Sequence, residues 1–178
     1  FPVALAIFWR SRFPMKWWHL AAGCITFGVT QIAFRIPIIA VLQSLIGVSG
    51  ILKNPWVLQL WILFLVITAG LVEETGRYFA YKLIAKETRK WEHGVMFGIG
   101  HGGLESLWIG MTSFGSYLFY LILSLFFSNS TTFASYLQIY ANIPAYMPLV
   151  GGVERVFTIP FHIAMSVLVL KIYIQGRP

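Results

Sequence analysis

The sequence predicts an all-α fold, a polytopic transmembrane helix bundle, on three observations. Only 11% of its 178 residues are charged and 58% are hydrophobic, against roughly a quarter charged in an ordinary soluble domain. The mean hydropathy is +0.75. The apolar residues collect into four runs, Trp17 to about Ser49, Trp56 to Tyr81, Val95 to Phe127 and Val150 to Ile174. Each run reaches the ~20 residues that a helix needs to cross a hydrocarbon core. Four spanning helices are the minimum. With no internal repeat, low-complexity tract or shift of composition, the chain reads as a single transmembrane domain over residues 1–178.

The first element, "FPVALAIFW", is too short to span and reads as the end of a truncated helix, just as the "QGRP" terminus stops soon after an apolar run. The domain is therefore expected to be a fragment truncated at both ends. A net charge of +7 would suggest nucleic acid for a soluble protein, but here the basic residues cluster at the ends of apolar runs. They act as topology markers, which makes the lipid bilayer the expected partner and argues against nucleic acid. Arg10, Arg12 and Lys16 lie in one loop and Lys82, Lys86, Arg89 and Lys90 in another, so both face the cytoplasm, and "SGILKNP" between them faces out. Within the second element Gln31 and Arg35 precede Pro37, which favours a kink or an end there.

The third element runs inward to "GLVEETGRYFAYK", and "AKETRKWEH" turns the chain back. The fourth is roughly 50 Å long at 1.5 Å per residue, too long for one straight span, so it bends or divides near Gly110 to Gly115. Parity decides between these. Lys171 and Arg177 assign the end of the last run to the cytoplasm, which requires one crossing between His93 and Val150, hence one long, bent helix. An outer amphipathic stretch, "SNSTTFASYLQIYANIPAYMP", follows it. Cys24, the single cysteine, has no disulfide partner.

Six glutamates and no aspartate make up the acidic side chains, and Glu73, Glu74, Glu105 and Glu154 fall within or at the edge of apolar runs. An ionisable group at membrane depth is costly unless paired or hydrated, so it marks a functional site by default. Glu73 and Glu74, His101, and His162 all fall roughly 12 to 14 Å below the cytoplasmic surface when counted along their helices. Helical spacing places His101 and Glu105 on one face, and glycines 98, 100, 102 and 103 allow close helix approach. Arg77 lies three and four residues from the carboxylate pair, so it can hold one of them ionised and leave the other free. Such a glutamate activates water for attack on a carbonyl, and the histidines stabilise the oxyanion.

Plainer readings stand beside this one. "EETGR" is also what a salt bridge at a helix end looks like, His101 and His162 can each join two helices through a hydrogen bond, and Glu154 with Arg155 suits a headgroup-level pair. Gln31 and Arg35 read as structural partners of Glu105 or Glu154, and His19 and His93 as interfacial groups touching water. Tryptophans 17, 18, 56 and 91 at the ends of runs read as interfacial belts. His101, His162 and Glu105 are acceptable zinc ligands, yet the chain has neither an H-E-x-x-H motif nor a cysteine set. Spacing leaves metal-bound and metal-free activation of water both open.

In order, "GVTQIAFRIP", "EETGRY", "FGIGHGGLESL" and "GGVERVFTIPFHIAMSVLVL" closely resemble the YhfC family of bacterial membrane proteins over nearly the whole chain. That family resembles in turn the group holding the type II CAAX prenyl proteases, the PrsW proteases and the gamma-secretase scaffold subunit. The resemblance implies an intramembrane endopeptidase in a bacterial cytoplasmic membrane, acting on a membrane protein or peptide substrate. The CAAX-type pattern of a double glutamate, an arginine and Phe-x-x-x-His maps onto Glu73, Glu74, Arg77, and Phe97 with His101. The arginine here has EExxR rather than EExxxR spacing. His162 matches the later histidine motif, and Glu105 is characteristic of the YhfC-like branch. Related proteins continue into at least one more helix. The expected roles are water activation by Glu73 and Glu74, orientation by Arg77, oxyanion donation or metal ligation by His101 and His162, and orientation or ligation by Glu105. The site is expected to open to the cytoplasm between the third, fourth and last helices. The cofactor is zinc or none, and the alternatives are a non-catalytic scaffold and a transporter or proton relay.

Overall fold

Helix punctuation in the sequence accounts for the elements of a computed structural model, which describes residues 1–128, 130–144 and 146–176. Pro2 opens α1, Pro2–Arg12, at a position where its missing N–H costs nothing. Next come α2, Trp17–Phe27, a π-helical stretch Gly28–Arg35, and α3, Ile36–Ile46. The expected break at Pro37 takes a milder form. The widened turns before the proline, in which the Ile36 N–H bonds the Gln31 carbonyl five residues back, let the chain run on as one apolar segment from Trp17 to Ile46. Gly47, at φ 81°, ends α3 in a backbone conformation that favours glycine.

After the short α4, Val48–Lys53, the Asn54 side chain accepts the Trp56 and Val57 amides and, with Pro55 next, starts α5, Pro55–Leu83. Helix α6, Trp91–Phe126, is uninterrupted through Gly110 and Gly115, as a single crossing requires. The stretch expected to be amphipathic holds α7, Ala134–Ala141, and the last helix is α8, Met147–Gln175. Arg177, one of two basic residues that orient α8, lies outside the described residues; Lys171 is exposed. Four of these segments, Trp17–Ile46, Pro55–Leu83, Trp91–Phe126 and Met147–Gln175, are long and apolar enough to cross a membrane. The protein is an all-α polytopic membrane helix bundle.

Two compact units divide the chain, one of Phe1–Leu104 with the residues from Ile159 onward, the other Glu105–Thr158. In the first, Ala22, Ala80, Tyr81, Phe97, Val169 and Leu170 form one core cluster and Ala6, Met15, Val95, Met96 and Ile99 a second. The small residues there are spacing devices. A Cβ at Gly98 would stand 2.5 Å from Ile163 Cα, and one at Gly100 would collide with the Leu20 carbonyl, so α6 touches α8 and α2 backbone to backbone. In the second unit, Tyr120 stacks on Tyr140 at 5.5 Å and the Tyr136 hydroxyl donates to the Ser116 carbonyl at 3.1 Å.

Candidate metal centre

The close approach of α6 and α8 brings two imidazoles together. His101 and His162 rings lie 5.1 Å apart at 37°, and a Cβ at Gly102 would stand 2.9 Å from His162 Cδ2, so the glycine makes room for that ring. The edge-to-face contact of Phe27 at 5.4 Å closes the α2 side of His101. From α5, Glu73 reaches both rings: its Oε2 is 3.9 Å from His101 Nε2 and 3.8 Å from His162 Nδ1. Glu73, His101 and His162 each offer a ligand atom within 4.8 Å of the others, and they are the only such group among the described residues.

His101 is wholly buried, and neither ring nitrogen has a hydrogen-bond partner among the described residues. Burying an imidazole without a partner costs stability unless something else takes its lone pair. Two imidazoles and one carboxylate are the donor set of open catalytic zinc sites, so the residues present fit a metal ion.

Arg77, also wholly buried, is the hub of the polar contacts. Its guanidinium pairs with Glu73 Oε2 at 3.3 Å, with Glu74 Oε1, and with His162 Nδ1 at 2.5 Å. An arginine only donates, so His162 Nδ1 is the acceptor and its lone pair faces the cluster. The expectation that Arg77 leaves one carboxylate free is corrected here: it holds both. Glu74 keeps a distinct position, with a side chain 30% exposed and an Oε2 that has no partner among the described residues.

Gln31 corrects a second expectation. Its Nε2 donates to Glu73 Oε1 at 3.1 Å, and its Oε1 accepts from Arg35 Nη1 at 3.3 Å, while Arg35 Nη2 reaches the Leu65 carbonyl at 2.6 Å. Counting along the helix sets Gln31 ~21 Å from Trp17 and Glu73 ~15 Å from Leu83, different depths that two long side chains can bridge. The lone Gln and Arg four apart in an apolar run were the available signal.

Glu105 belongs to the second unit, where it accepts from Arg155 Nη1 at 2.8 Å, and Arg155 also pairs with Glu154. The carboxylate that the structure brings to the two histidines is Glu73. His19 and His93, expected at a wet interface, stack on each other at 4.1 Å, and His19 is buried.

Fold and donor set thus define a membrane protein with a metalloenzyme-type cluster shared by three helices. The chain belongs to the YhfC intramembrane metalloprotease family, which it matches over residues 1–176. It is 30% identical over 193 residues to the protein described as uncharacterized membrane protein YhfC of Bacillus subtilis (strain 168), covering 99% of this chain and 71% of that protein. No solved structure matches the chain.

Proposed function

We propose that the protein is an intramembrane metalloprotease of a bacterial cytoplasmic membrane, hydrolysing peptide bonds of membrane proteins or peptides. Glu73, His101 and His162 hold the metal, which by donor type is zinc. The observation that carries this reading is the buried His101, whose two ring nitrogens lack partners while its Nε2 faces a carboxylate and a second imidazole. When bound, the metal supplies Lewis-acid polarisation and a water of lowered pKa.

The residues around it have separate tasks. Glu74 takes the proton from the attacking water at its unpartnered Oε2 and returns it to the leaving amine. Arg77 fixes Glu74 through Oε1 and so aims the other oxygen, and Gln31 fixes Glu73 through Oε1. Family membership supports this assignment, and Glu105 remains a residue whose part in the reaction rests on the resemblance alone.

The test is cleavage of a pooled membrane-peptide library by the protein in lipid nanodiscs, with bound metal measured on the same samples. Glu74→Gln is expected to keep its metal and lose about 10² to 10⁴ in rate. His101→Ala is expected to lose both. Wild-type cleavage without metal would overturn the metal assignment, and a folded, metal-loaded wild type that cuts nothing would favour the scaffold reading.

A further inference from the structure

A cavity of about 300 Å³ lies at the end of the first unit that carries the two basic loops. Its lining includes Lys16, His19, Lys86, Glu87, Thr88 and His93. His93 precedes His101 on α6 by eight residues, which is about 12 Å or two helical turns, so the cavity is separate from the metal cluster.

Three features of this cavity ask for an anion. Thr88 is wholly buried and its hydroxyl has no partner among the described residues, and Nδ1 of His19 and of His93 are likewise buried without one. Two helices begin here, α2 at Trp17 and α6 at Trp91, with His19 and His93 in their first turns. The first turn of α2 holds no acidic residue, while that of α6 carries Glu92. The positive end of the α2 dipole, with no acidic side chain against it, therefore adds to a lining that carries two lysines against one glutamate. A metal fits worse, because the Glu73 cluster is the only group of three ligands among the described residues.

The position of the cavity selects the source of the anion. Trp17, Trp18 and Trp91 flank it and are each about half exposed, the arrangement of aromatic side chains at headgroup level. Lys16 and Lys86 lie in the loops that face the cytoplasm, where membranes present their anionic headgroups. We propose that this cavity binds the phosphate of an anionic phospholipid headgroup, with Lys16 and Lys86 neutralising it and Thr88 and the imidazoles of His19 and His93 supplying hydrogen bonds. The bound headgroup bridges the start of α2 to the start of α6 and the loop after α5.

Native mass spectrometry and thermal unfolding of the full chain test this, in nanodiscs of phosphatidylcholine alone, with added phosphatidylglycerol, or with added inorganic phosphate. Phosphatidylglycerol is expected to remain bound and to raise the unfolding temperature. Affinity should fall about tenfold or more in the double variant Lys16→Gln, Lys86→Gln, since both side chains are exposed and their loss leaves the core intact. Thr88→Val, which keeps the side-chain shape, should weaken it severalfold. Unfolding of each variant in phosphatidylcholine alone, unchanged from wild type, confirms that the fold survives. Equal effects of the two lipids, or variants that respond like wild type, would overturn the proposal. Protection by inorganic phosphate but not by phosphatidylglycerol would overturn the lipid source and assign the site to a soluble phosphate ester.

Discussion

Replacing Gly98 by alanine adds one methyl group where α6 meets α8, and the structure fixes how far the helices must part. The new Cβ would lie 2.5 Å from Ile163 Cα, 2.8 Å from the His162 carbonyl oxygen and 2.9 Å from the Ile163 nitrogen. Non-bonded carbons rest at about 3.5 to 4.0 Å, so α8 must retreat by about 1 Å at this point. All three neighbours are backbone, which cannot swing aside as a side-chain tip would. Overpacking of this kind costs ~1–3 kcal/mol, and the better helix propensity of alanine returns up to ~1 kcal/mol. The net loss of stability is therefore ~0–3 kcal/mol. The loss of function is larger, because the residues forced back include His162 itself. A shift of ~1 Å in a reacting geometry costs about a hundredfold. Zinc affinity, measured by competition with a chromogenic chelator, should fall by one to two orders of magnitude in Gly98→Ala. Gly110→Ala on the same helix is the control, since a Cβ there meets nothing within 4 Å among the described residues. Zinc binding by Gly98→Ala equal to that of wild type, with the fold intact, would refute the idea that this contact sets the separation of His101 and His162.

Further substitutions probe other contacts. Gln31→Leu removes the 3.1 Å donor to Glu73 Oε1 and should lower metal affinity about 10- to 100-fold, measured by the same chelator competition. An unchanged affinity would mean that Gln31 does not orient Glu73. Glu105→Gln should leave metal content within error of wild type by elemental analysis, because Glu73 is the carboxylate at the two histidines; stoichiometric loss of metal would return Glu105 to the ligand set. Tyr81→Phe deletes a buried hydroxyl that donates to the Ser166 carbonyl at 2.9 Å, at a cost of ~1 kcal/mol in unfolding with turnover kept. A loss of turnover exceeding the loss of stability would place Tyr81 in the chemistry.

Helix count, the continuity of α6 and the meeting of Glu73, His101 and His162 were legible because each depends on distance along one helix. Rise per residue converts sequence position to depth, and three polar groups at one depth in an apolar bundle have few places to go. What sequence could not supply was rotation about the helix axes. Glu105 follows His101 by one turn, and its carboxylate is taken by Arg155, which the spacing along one helix does not reveal. The π-helical stretch Gly28–Arg35 was equally hidden, and it alters the facing of everything after it. That local widening, together with the reach of two long side chains, sets Gln31 against Glu73 rather than against a partner nearer the outer face. Arg77 was read from i,i+3 and i,i+4 spacing, which identifies neighbours on its own helix but not the histidine opposite.

The charged groups at the cluster bear on the metal proposed for it. Glu73 and Glu74 set two carboxyl groups against the single guanidinium of Arg77. Arg35 contributes only through Gln31, whose amide stands between it and Glu73. An excess charge at this depth is stable only if a proton or a cation joins it. A proton on either carboxylate would satisfy the charge but would leave both ring nitrogens of His101 without a partner. In the proposed site a divalent ion would accept an imidazole lone pair from His101 and pair with the carboxylates. The guanidinium already does half of this: it lies against His162 Nδ1 and Glu73 Oε2, two of the three ligand groups, and does not reach His101. The arginine thus fills part of a cation site, and His101 is the part it leaves.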